Sequence, residues 1–166
     1  MLALQAVDAG FDPKDLLTMV VAVAGTVNDK PGARAPLYDQ VQRAVAALPG
    51  VESVSAINHL PLGGDTWSLG VKIEGRPEPP PGEGLSAVYR VVTPGYFETM
   101  KLRLSHSRAF TIRAREGTPL VAVINETMAR RRWAGEDPIG KRFSFGSLDA
   151  KTDATSGDLQ TVVGVV

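Results

Sequence analysis

The 166-residue chain is 43% apolar and 22% charged, its 18 basic residues balance 18 acidic ones, and it has no cysteine. That balance supplies no global field to recruit nucleic acid or an anionic membrane, and the missing thiols exclude disulfides and thiolate metal sites. At this length one domain or two small ones can bury a core, but no run approaches the roughly 18–20 apolar residues of a membrane-spanning helix.

In chain order, residues 1–15 mix Pro13 with Asp8, Asp12 and Asp15 and predict a loose or briefly helical segment. Residues 16–24, apolar on both faces, predict a first strand, and residues 28–32 (Asn-Asp-Lys-Pro-Gly) a loop. Residues 33–48 predict a helix starting at Ala35 or Pro36, because Leu37, Val41, Ala44, Val45 and Leu48 form one apolar stripe. Pro36 is tolerated only in its first turn, and Pro49-Gly50 ends it. Residues 51–58 predict a second strand and residues 60–66 a Pro-Gly-Gly loop. In residues 67–74 the alternation of Trp67, Leu69, Val71 and Ile73 against Ser68, Lys72 and Glu74 predicts a strand with one buried face. The first half thus reads β-α-β-β. Residues 75–84 carry four prolines and three glycines in close succession around Glu78 and Glu83 and predict an extended linker and a subdomain boundary.

Residues 88–145 organise the second half. Val88, Val91 and Val92 suit a strand; Pro94 stops it, and Thr93 is placed to cap a short helix over residues 95–100. Residues 120–124 form an apolar run of strand length. Asn125 is placed to cap a helix whose first turn holds Glu126 and whose last holds Arg130, Arg131 and Arg132, the charge order that the helix dipole favours. Asp137-Pro138-Ile139-Gly140 is turn chemistry before a strand containing Phe143 and Phe145. Residues 146–157 read as an exposed hairpin or loop, and residues 159–166 as a last strand.

Few residues invite a chemical role. His59 and His106 lie in no metal-ligand spacing, so the sequence predicts no metal and no cofactor. Asp65, Ser68 and His59 lack a nucleophile elbow, and Leu62-Gly63-Gly64-Asp65 lacks the lysine and hydroxyl of a phosphate loop. Arg130, Arg131 and Arg132 beside Trp133 fit helix-end electrostatics better than nucleic-acid contact. Tyr96, Phe97, Phe143 and Phe145 read as core anchors. Trp67, opening a strand beside a glycine-rich loop, is the candidate contact for a partner.

The words Val92-Thr93-Pro94-Gly95-Tyr96-Phe97, Ala122-Val123-Ile124-Asn125-Glu126-Thr127-Met128-Ala129-Arg130 and Asp137-Pro138-Ile139-Gly140-Lys141-Arg142-Phe143, with further words near residues 7–12, 48–54, 60–64, 73–77 and 162–166, occur in an order that resembles the periplasmic core domain of MacB-like, FtsX-like ABC transporter permeases. Residues 102–110 depart from the family, which there has a Gly-Arg turn. The resemblance implies an α+β, two-lobed fold: residues 1–15 following a membrane span, residues 16–74 as the first half of a Porter-like β-α-β-β lobe, residues 75–84 as linker, and residues 85–166 as a β-rich Sabre-like lobe. It also implies that a segment completing the first lobe lies outside these residues, leaving an unpaired sheet edge and a marginal, dimerising or swapping piece. Pro94, Gly95, Tyr96, Phe97, Asn125, Glu126, Asp137, Pro138, Gly140 and Lys141 are then structural signature residues, and no residue is catalytic. The implied function is that of an extracytoplasmic domain, in the periplasm or outside the cell, held at the inner membrane by a dimeric parent. It would relay the work of a cytoplasmic ATPase to a substrate or periplasmic partner during export. A stand-alone ligand-binding module or a small soluble enzyme is the alternative.

Overall fold

The computed structural model describes residues 10–30, 32–64, 67–77, 80, 84, 86–107, 119–146 and 159–166. The chain forms two compact units, Met1–Asn58 with Val92–Leu102, and His59–Val91 with Arg103–Val166.

Among the described residues, the first unit holds two helices, α1 (Arg34–Ala46) and α2 (Tyr96–Thr99). Helix α1 lies where its apolar stripe predicts, with Pro36 in the first turn, yet none of its residues is fully buried. The strand expected at residues 16–24 does not form: Leu17, Met19 and Val20 are exposed. A run that is apolar on both faces becomes a strand only where something covers both. Here the segment is tied to α1 by the Tyr38 hydroxyl, which donates to the Val21 carbonyl at 3.3 Å. Residues 51–58 likewise form no ladder, only the isolated antiparallel bridge of Ile57 with Val92. What holds them is Thr93. Its hydroxyl accepts from the Ala56 N–H at 2.8 Å and donates to Gln42 Oε1 at 2.9 Å, while its own N–H donates to the Ala56 carbonyl.

This corrects the expectation that Thr93 caps α2, since its oxygen is already engaged. The helix starts instead from a tight turn in which the Tyr96 N–H donates to the Thr93 carbonyl. Pro94 and Gly95 are the central residues of that turn, and Gly95 sits at φ 84°, ψ −6°. These are type II values, which need glycine at the second central position. Helix α2 ends in a Schellman arrangement, with the Leu102 N–H donating to the Phe97 carbonyl and the Lys101 N–H to that of Glu98. Lys101 takes the left-handed position at φ 53°. Its ammonium pairs with Asp12 at 3.1 Å, and the Lys14 N–H together with that ammonium holds the Asp12 carboxyl below its ordinary value.

The second unit is a mixed sheet of β1 (Ser68–Ile73), β2 (Ser86–Val88), β3 (His106–Ser107), β4 (Leu120–Ile124), β5 (Arg142–Gly146) and β6 (Gln160–Val165), with α3 (Glu126–Arg132) between β4 and β5. Strands β2, β1 and β5 run antiparallel in that order. Strand β6 lies between β4, parallel to it along its length, and two antiparallel partners: β5 at its start and β3 at its end. Because β1 pairs with β5 through Val71↔Phe145 and Ile73↔Phe143, it belongs to this sheet and not to the lobe that the sequence assigned to residues 16–74. The expected boundary at residues 75–84 instead connects two strands of one sheet. The reason is side-chain pattern: the apolar face of β1 continues that of β5. β3 falls in the stretch that departs from the family words, and residues 147–158 lie outside the described ones.

Val71, Ile124, Trp133, Phe143, Val162 and Val165 form the core, with Met128 and Ala129 of α3 and Ile139 of the following turn packed against it. Val162 has no exposed surface. α3 is made as its sequence predicts: the Asn125 side chain accepts from the Met128 N–H at 2.8 Å, and Glu126 pairs with Arg130 one turn on.

Candidate interaction surface

Several residues of the signature words lie at turns and helix ends of the backbone. Pro94 and Gly95 make the type II turn, Tyr96 is buried, and Phe97 meets it edge-on at 5.6 Å. Asn125 caps α3, and the Glu126 N–H donates to the Val166 carbonyl. In the 137–143 word, the Asp137 carboxylate accepts from the Ile139 N–H and the Lys141 N–H reaches the Pro138 carbonyl. Gly140, at φ 84°, then gives its N–H to the Val162 carbonyl, and the Lys141 carbonyl accepts from the Val162 N–H. The turn therefore delivers β5 into register with β6. Lys141 Nζ also sits 2.6 Å from Glu136, whose carboxyl is held below its ordinary value by that contact and then by Arg76.

Trp67 occupies a different kind of place. It precedes β1 on the same face as Leu69, Val71 and Ile73, and its carbonyl accepts from the Tyr89 N–H, so Trp67 and Tyr89 are cross-strand neighbours. Its ring lies 4.9 Å from that of His59 and 6.4 Å from that of Tyr89. Tyr89 lies 5.5 Å from Phe145, which meets Phe143 edge-on at 5.5 Å. The row runs from solvent to core: Trp67 is 57% exposed and Phe143 2%. Burial along β1 follows the same gradient, with Leu69 exposed and Val71 buried. Leu62 and Val88, in the same unit, are also exposed. A rigid aromatic with its far end anchored in a core is a low-entropy contact for a partner. The contributions of His59 and Tyr89 were not visible in spacing alone: the β1–β2 pairing brings Tyr89 opposite Trp67, and the loop before β1 brings His59.

The other candidates separate. The His59 ring lies tilted against Trp67, and no group of three or more metal-ligating side chains occurs among the described residues. Asp65 lies outside the described residues, so the set of Asp65, Ser68 and His59 is not assembled by any geometry described. Residues 60–64 form a turn, with the Gly63 N–H donating to the Leu60 carbonyl and Gly64 at φ 86°. Trp133, buried to 2% exposure, is a core residue and offers no face for base stacking. Among the described residues, no helix is long and apolar enough to cross a membrane.

Comparison with known proteins agrees with this geometry. The family of MacB-like periplasmic core domains matches residues 3–166. The chain belongs to that family. The MacB-like domain is similar in fold to the periplasmic region of MacB from Actinobacillus actinomycetemcomitans, at 18% identity and a TM-score of 0.52, over 77% of this chain and 49% of that one. It also matches a domain of a putative permease protein from Porphyromonas gingivalis, at 18% identity and a TM-score of 0.47, over 75% of this chain and 48% of that one. The MacB-like domain thus spans about half the length of these solved chains. No curated protein matches it. The mixed α+β architecture expected from the signature words is the fold found, although its strands are distributed differently from the expected β-α-β-β lobe.

Proposed function

We infer that this MacB-like domain is the extracytoplasmic part of an ABC transporter permease. It sits in the periplasm at the inner membrane and relays conformational change, driven by a cytoplasmic ATPase of a dimeric transporter, to an exported substrate or a periplasmic partner. The observation that carries this is the family match across residues 3–166. The division into two compact units supports a relay, because the chain passes between them at 58/59, 91/92 and 102/103. Two separately compact units suit rigid-body motion. ATP hydrolysis is assigned to the ATPase, and Trp67 to partner contact.

The relay is tested in the assembled transporter with spin labels at Asp39→Cys on α1 and Thr127→Cys on α3, both exposed positions in a chain with no cysteine of its own. The distance distribution between the labels is expected to differ between the nucleotide-free and ATP-bound states. An unchanged distribution in a transporter that is hydrolysing ATP sinks the relay.

A further inference from the structure

Among the described residues, β4 has a strand partner on one side only, β6. The Glu126 N–H donates to the Val166 carbonyl and the Val166 N–H to the Ile124 carbonyl, so position 124 turns its backbone toward β6. Backbone direction alternates along a strand, which turns Leu120 and Ala122 the same way and Val121 and Val123 outward. The register runs from Ala122↔Val162 to Val123↔Gly164, so the extra residue of the bulge, Val163, belongs to β6 and the alternation along β4 is unbroken. Two N–H groups and two carbonyls therefore face away from the sheet. Pro119 precedes them in the same outward phase, where a strand can do without an N–H. Edges that proteins keep apart carry charges or bulges of their own. Strand β4 reads Leu-Val-Ala-Val-Ile and has neither. The charge nearest to it in sequence, Glu126, is paired with Arg130 at 3.3 Å.

We propose that a second copy of this chain pairs antiparallel along β4, making one sheet continuous across a two-fold axis at Ala122. Leu-Val-Ala-Val-Ile is nearly palindromic in side-chain size, as a contact between identical surfaces requires. The axis sets Val121 opposite Val123 of the second copy, and the reverse, so the outward groups supply four hydrogen bonds. Ala122 meets its own copy at a pair without hydrogen bonds, where strands come closest and a small side chain fits. The next pair along matches as well. Pro119 has no N–H to give, and Asn125 of the second copy would stand opposite it. The Asn125 carbonyl already accepts from the Ala129 N–H at 3.0 Å, so the missing donor falls where the acceptor is taken. The Asn125 N–H is left to donate to the Pro119 carbonyl. No like charges meet along the five residues of the strand. The inference stands on this edge and is independent of the relay.

The test follows sedimentation equilibrium and amide exchange at Val121 and Val123 over a range of protein concentrations. Dimers are expected, with protection of these two amides rising as the dimer forms. Val121→Lys with Val123→Lys sets lysine opposite lysine and is expected to weaken self-association about tenfold or more. Val121→Glu with Val123→Glu should do the same, and mixing the two variants should restore pairing. Ala122→Cys, in a chain with no cysteine of its own, is expected to give a disulfide-linked dimer under mild oxidation, because the facing Cα atoms would lie about 4.5 Å apart. Asp39→Cys, exposed on α1, should not. The cysteine variants keep the proposal open to failure even where the charged ones do not fold. A monomer at every concentration, a dimer indifferent to folded charged variants, a mixture of these that stays apart, or equal cross-linking through Asp39→Cys would overturn it. So would protection of both amides in the monomer, which would show the edge already paired within its own chain.

Discussion

Trp133→Ala is expected to destabilise the sheet unit by about 3–5 kcal/mol, the usual cost of emptying a large aromatic site in a core. Trp133 is 2% exposed and belongs to the cluster of Val71, Ile124, Phe143, Val162 and Val165. It also closes α3, its N–H donating to the Ala129 carbonyl, and it anchors the turn that follows, its carbonyl accepting from the Glu136 N–H. The cavity would open between the end of a helix and the turn that sets the register of β5, where neither can collapse inward without moving the other. Urea denaturation followed by circular dichroism reads the effect directly. A loss below about 1 kcal/mol would mean that this residue is not the core anchor described.

Thr93→Val is expected to cost about 1–2 kcal/mol, because it leaves the Ala56 N–H without its acceptor and Gln42 Oε1 without its donor. The substitution keeps the shape of the side chain, so packing changes little and the hydroxyl is what is tested. The group is half-buried, which lets water recover part of the loss. Thr93→Ser should retain most of the stability. Faster amide exchange at Ala56 in the valine variant, with the serine variant near the parent, is the expected pattern. Equal exchange in all three would show that the hydroxyl does not hold residues 51–58.

Local chemistry was legible in the sequence, and partnership was not. Asn125 caps α3, Glu126 and the arginines order its charges, residues 120–124 form a strand, and Pro94-Gly95 forms a turn, because each needs only neighbours within a few residues. Residues 16–24 and 51–58 have strand composition but no strand, since a ladder needs a second chain segment that composition does not specify. Thr93 fails as a cap for the same reason: Ala56 and Gln42, distant in sequence, claim its oxygen. The alternation in residues 67–74 correctly gave one apolar face to β1, yet only pairing with Phe143 and Phe145 shows which unit owns it. At the candidate surface, the prominence of Trp67 was readable from its position, while its tilted ring contacts with His59 and Tyr89 came from the fold.

The central claim is that this domain faces away from the cytoplasm in its parent permease. It is tested by placing Thr127→Cys, on the exposed face of α3, in the full-length protein and treating intact spheroplasts with a membrane-impermeant maleimide. Labelling before lysis, at the rate of a known extracytoplasmic cysteine, is the predicted result. Labelling only after the membrane is broken would contradict the account.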